Sequence, residues 1–222
     1  MTALVWDQTG KRLYETGVDH VALFVMDENG TAYGTGVAWN GVTAITESPS
    51  GAESTAQYAD NIKYLNLVSA EEFGATLEAF MYPDEFYPCD GVQKLTNGTY
   101  ISGQTRRTFA LAYRTLVGND TKGTDYGYKI HVAYGLTATP SEKANNTVND
   151  SPEASTFSWE LSSTPVNVAG HKPTSHVWVS SLDHAADGVM AKLEAKLFGD
   201  TSNQPTLLMP DALDALLTAG GD

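Results

Sequence analysis

Residues 126–136 read Tyr-Gly-Tyr-Lys-Ile-His-Val-Ala-Tyr-Gly-Leu, with a large apolar side chain at every second position. A period of two suits an extended strand with one buried face. A helix does not satisfy it, because helical side chains return to one face only every 3.6 residues. On this reading Tyr126, Tyr128, Ile130, Val132, Tyr134 and Leu136 share one face, and Gly127, Lys129, His131 and Gly135 share the other. The same alternation places Phe73, Ala75, Leu77, Ala79 and Met81 opposite Glu72, Gly74, Thr76 and Glu78. It returns in Phe109, Leu111 and Tyr113 and in Phe157, Trp159 and Leu161, with further strands expected near 18–26, 36–46, 58–68 and 174–182.

Turn chemistry separates these runs. Asn29-Gly30, Asn40-Gly41, Asp90-Gly91 and Asn97-Gly98 are dipeptides that favour tight turns. One helix is expected over 183–198, with Asp183 as its cap and Val189, Met190, Leu193 and Leu197 on one side. The expected fold is therefore mainly β, an antiparallel β-sandwich or barrel with one or two flanking helices. At 222 residues a single domain accommodates the whole chain. Its expected appendages are an N-terminal arm (1–17), exposed loops at 46–57 and 140–155, and a C-terminal helix and tail (183–222).

The net charge of −14 constrains function. Residues 1–90 hold 14 acids and 3 bases, while residues 91–135 hold 2 acids and 6 bases. So acidic a chain should not grip nucleic acid, which requires cationic groups to displace phosphate counterions. The basic middle segment suits an acidic partner across a subunit boundary. The single cysteine excludes an internal disulfide, and no apolar run is long enough to be a signal sequence or membrane span. Synthesis in the cytosol, with no membrane association, is the expectation.

No set of residues announces catalysis. The segment MYPDEFYPCDG (81–91) gathers Asp84, Glu85, Cys89 and Asp90. Cys89 nevertheless lacks the partners of a zinc site or a thiol nucleophile. His171 and His176 are five apart in a Pro-containing stretch, a spacing that builds no metal site on a helix or strand. Glu78 with Asp84 or Glu85 is a nominal glycosidase pair, but any acidic chain offers such pairs. The segment reads instead as a corner, with Pro83 ending a strand and Cys89 packed inside. The expectation is a protein that is not an enzyme and takes no cofactor and no metal. Its many aromatic residues leave one other reading open, a carbohydrate-binding β-sandwich module of a baseplate or cell surface.

Several strings, in this order and spacing, resemble the major tail tube proteins of siphovirus-type, long-tailed bacteriophages of Gram-positive hosts. They are ESPSGAESTAQYADN (47–61), EFGATLEAFMYPDEFYPCDG (72–91), TRRTFALAYRTLVGND (105–120), HVAYGLTATPSEKANNTVNDSPEASTFSWELSSTPV (131–166) and KPTSHVWVSS (172–181). The resemblance covers about residues 18–182. It implies a structural subunit of the virion, assembled in the host cytoplasm, whose six copies join their sheets into a ring. Rings would stack around a tape measure protein between a tail terminator and a distal tail or baseplate complex. Double-stranded DNA would later pass down an electronegative channel without sticking, and no catalytic residue carries over. Glu72 and Glu78 are the candidates for lining that channel. The alternative for both is an ion pair with Arg106, Arg107 or Arg114 of a neighbouring copy.

Overall fold

A computed structural model describes residues 3–96, 98–147, 150, 154–184 and 188–219. The chain is mainly β, an antiparallel sandwich with two flanking helices. The principal sheet contains β1 (Leu13–Val25), β2 (Val37–Ala38), β3 (Val42–Glu47), β8 (Gly74–Ala79), β11 (Phe109–Asn119), β12 (Gly123–Ala138), β13 (Phe157–Ser163) and β14 (His176–Ser180). Its order is β2-β1-β11-β12-β13-β8-β3. The long β12 carries β13 and β14 end to end along its second edge, pairing Leu136–Ala138 with the former and Lys129–Ala133 with the latter.

The alternating pattern builds two cores, one on each face of this sheet. Leu23, Leu77, Phe109, Leu111, Leu136, Trp159 and Leu161 fill the first, where the sheet curls over on itself. Phe24, Ala110, Ala112, Ile130, Val132 and Tyr134 face the other way, onto the helices. These are α1 (Val189–Leu197) and α2 (Pro210–Ala219). α1 buries Val189, Met190, Leu193 and Leu197, and α2 begins on a proline, whose fixed φ and missing N–H suit a first turn. The Tyr134 hydroxyl donates to the Leu208 carbonyl at 2.8 Å, tying the segment before α2 to the sheet.

Several expectations are corrected. The uniform face from Tyr126 to Leu136 breaks at Gly135, where one extra residue enters β12 between the Ala133–Leu111 and Leu136–Phe109 pairs. Tyr134 therefore joins the helix-side core while Leu136 joins the other. The helix starts at Val189, and Asp183 sits in a turn with its N–H on the Ser180 carbonyl rather than capping it; residues 185–187 of the expected span lie outside the described residues. The expected arm is strand from Leu13 onward, paired with β11, and its Gly10 is fastened by the Asp120 carboxylate and the Asn119 amide.

Residues 46–57 are not a loop but one limb of a long hairpin arm extending from the β3–β8 pair. Along it β4 (Ser50–Gly51) pairs with β7 (Glu71–Glu72), then β5 (Ser54–Ala59) with β6 (Ile62–Val68). Its tip is Asp60-Asn61, both at positive φ as a two-residue primed turn requires. This divides the single strand expected at 58–68. The described part of 140–155 carries neither strand nor helix, and 148–149 and 151–153 lie outside the described residues. Asn97, of the fourth turn dipeptide, lies outside them too; Gly98 there still links β9 (Gln93–Thr96) to β10 (Thr99–Ile101).

Candidate functional site

Residues 81–91 form a packed corner. β8 ends at Ala79, Pro83 precedes a single 3-10 turn at Asp84–Phe86, and the chain turns back through Asp90-Gly91. Phe86 and Cys89 are fully buried, with Phe86 set edge-on to Phe109 and Trp159. Burial pushes the Cys89 thiol up to about 12, so it remains protonated and unreactive near neutral pH. Arg106 closes the corner with bonds to the Cys89 carbonyl, the Asp90 carboxylate and the Ala138 carbonyl at 3.0–3.3 Å.

All three candidate arginines have partners inside their own chain. Arg106 serves the corner, and Arg107 pairs with Glu28. Arg114 grips Asp19 with two parallel bonds, Nε to Oδ1 at 2.7 Å and Nη2 to Oδ2 at 2.9 Å, while its guanidinium lies over the Tyr128 ring. Arg107 lines a cleft of about 600 Å³ between the corner and the 26–31 turn, along with Tyr87, Lys94 and Tyr100.

Glu72 and Glu78 do not share a strand. Glu72 is exposed on β7, out on the arm, whereas Glu78 lies on β8 within the main sheet. Among the described residues neither makes an ion pair with an arginine. Glu78 sits on the outward face of β3, β8 and β13, opposite the buried Leu77 and Trp159. Ala44 and Ser158 stand directly beside it, and Thr46, Thr76 and Glu160 follow along the same face, which carries no Lys or Arg among these described residues. The arm is different in kind. Tyr58, Ile62, Tyr64, Leu65, Leu67 and Val68 are all exposed, Tyr58 at 72%, and they stand on both faces of two strands.

Sequence spacing missed one cluster. His176 on β14 meets His131 on β12 and Glu47 on β3. His131 Nδ1 lies 3.2 Å from His176 Nε2, and Glu47 Oε1 lies 3.7 and 3.8 Å from those nitrogens. Burial holds both imidazoles below their ordinary pKa, His131 at about 4, so both are neutral near pH 7. Burial also pushes the Glu15 carboxyl up, but hydrogen bonds from Lys129 and Thr115 outweigh it and leave that group below its usual value. The sequence places His131 on the second face of a strand, His176 in another strand and Glu47 in an exposed loop, and nothing in their spacing brings the three together.

No family model and no curated protein matches this chain. Among the described residues no helix is long and apolar enough to cross a membrane.

Proposed function

We propose that the chain is the repeating subunit of a phage tail tube, six copies to a ring and ring upon ring, with no catalytic role. The observation that carries this reading is the arm. A two-stranded hairpin is marginal in water on its own, and this one holds six large apolar side chains away from both cores. Contact with further copies of the chain would cover them. Strands β2 and β3 end the main sheet, and exposed edges of this kind are normally paired or shielded. Joining such edges around a closed ring leaves none open.

The outward face of β3, β8 and β13 suits the bore. Its carboxylates repel phosphate, and its described residues offer no cation to hold it. Glu78, with Glu160 beside it, is the better lining candidate, and Glu72 belongs to the arm. The tape measure protein, terminator and distal tail proteins are the expected partners, and the virion the expected location. Negative-stain microscopy of the concentrated full-length protein tests the reading. Hollow tubes or six-membered rings are expected, and paired Ile62→Asp and Leu67→Asp changes should abolish them while leaving the circular dichroism spectrum unchanged. Solitary molecules at every concentration, with tail partners also present, would overturn it.

A further inference from the structure

We propose that Glu47, His131 and His176 bind one divalent transition-metal ion, zinc by the character of the ligands, which fastens strands β3 and β14 to β12. In a tetrahedral zinc site with bonds of about 2.0–2.1 Å, ligand atoms stand about 3.3–3.4 Å from one another. The three separations here are 3.2, 3.7 and 3.8 Å. The shortest is a hydrogen bond from His176 Nε2–H to His131 Nδ1. On binding, the ion takes the place of that proton, which passes to His176 Nδ1 through solvent. The triangle needs only a small inward movement of the Glu47 carboxylate, whose side chain is 39% exposed and can make it. Two imidazoles and one carboxylate are donors that zinc accepts with a fourth position left over. Calcium and magnesium require oxygen ligands and are excluded.

The surroundings are those of ligands held in place. The Thr115 hydroxyl donates to Glu15 Oε1 at 2.7 Å and lies 3.0 Å from His131 Nε2. With its own proton directed at Glu15, that oxygen accepts the Nε2–H of His131, which leaves the Nδ1 lone pair facing the triad. Such an outer hydrogen bond is what fixes the tautomer and orientation of metal-bound histidines. Tyr113 donates to Glu47 Oε1 at 2.7 Å, and a second lone pair remains on that oxygen. The His131 ring stacks on Tyr113 and the His176 ring on Phe73.

An ion can also reach the site. Two open clefts meet at Glu47, one of about 410 Å³ lined by His131 and one of about 330 Å³ lined by His176. The second cleft also contains Ser175, whose buried hydroxyl has no partner among the described residues. Lys129 balances Glu15 at 2.6 Å, so the Glu47 carboxylate remains to attract a cation. The proposal is independent of whether the chain builds a tube.

The test uses the full-length protein, stripped with a chelator and titrated with zinc chloride by calorimetry. One ion per chain is expected, together with a rise in unfolding temperature. His176→Gln and Glu47→Gln should each weaken binding by at least about 100-fold, since loss even of an outer-shell partner costs 10–100-fold. Neither change touches the fully buried part of the core, so both variants should fold, as their circular dichroism would verify. Cobalt(II) in place of zinc should give the intense visible absorption of a four-coordinate ion in the wild type and lose it in both variants. His20→Ala and His171→Ala, at exposed histidines, should change nothing. No stoichiometric binding, or binding undiminished in His176→Gln and Glu47→Gln, would overturn the site.

Discussion

Arg114 and Asp19 form a fork-to-fork pair in which position matters more than charge. A bulged stretch of β1 between Thr16 and Ala22 brings Asp19 opposite Arg114, and the Tyr128 ring supports the guanidinium. The hydrogen bond from Arg114 holds the Asp19 carboxyl below its ordinary value, against the opposing push of burial. A depressed carboxylate pKa stabilises the fold at pH above the unfolded value, about 3.9, and that contribution disappears as pH falls through the folded value. The unfolding free energy of wild type minus Asp19→Asn should thus be constant between pH 7 and about pH 5, then shrink below about pH 4. Because Asp19 is 40% exposed, the difference is modest and salt-sensitive. Urea titrations across that range provide the check, and a difference undiminished at pH 3 would exclude this origin. The sequence showed Arg114 as a base on a strand but not its destination, because a bulge leaves no mark in the alternation. The Glu47–His131–His176 cluster was hidden for a related reason: its members meet only because β14 and the end of β3 converge on β12.

The elements were far more legible than their joints. Period-two runs located β8, β11, β12 and β13 to within a few residues, because each carries alternate large apolar residues that pack into a core, although β12 changes cores at Gly135. Alternation cannot reveal where a strand changes faces. Gly135 makes that change: at φ +61 it sits so close to the Thr164 backbone that a Cβ would stand 2.1 Å from the carbonyl oxygen. Its N–H donates to the Tyr33 hydroxyl at 3.0 Å, which secures the bulge. Gly135→Ala should cost about 3 kcal/mol, combining left-handed backbone strain with a steric clash. Gly123→Ala, at φ +59 with open space around it, should cost about 1 kcal/mol, from backbone strain alone. Chemical denaturation of the two variants separates these contributions, and equal losses would mean that the Thr164 contact is unimportant. The hairpin tip escaped sequence reading because Asp60-Asn61 lacks the glycine that usually marks such turns.

At the scale of the molecule, the proposed tube would require copies carrying −14 each to associate against their own repulsion. The basic stretch 91–135 suggested attraction between opposite charges on neighbouring copies. Its cations are instead matched within the chain: Arg106 with Asp90, Arg107 with Glu28, Arg114 with Asp19 and Lys129 with Glu15. Lys94 and Lys122 lie over tyrosine rings. What would remain to hold copies together in the proposed tube is apolar, chiefly the exposed side chains of the arm from Tyr58 to Val68. Salt distinguishes the two kinds of interface. It weakens contacts built from ion pairs, but it shortens the range of repulsion between like-charged bodies from about 30 Å at 0.01 M to about 10 Å at 0.1 M. Assembly followed by light scattering should therefore accelerate as sodium chloride rises through that range, and Ile62→Asp with Leu67→Asp should remove the response. Slower assembly with added salt would mean that copies meet through charges, and the arm would need another role.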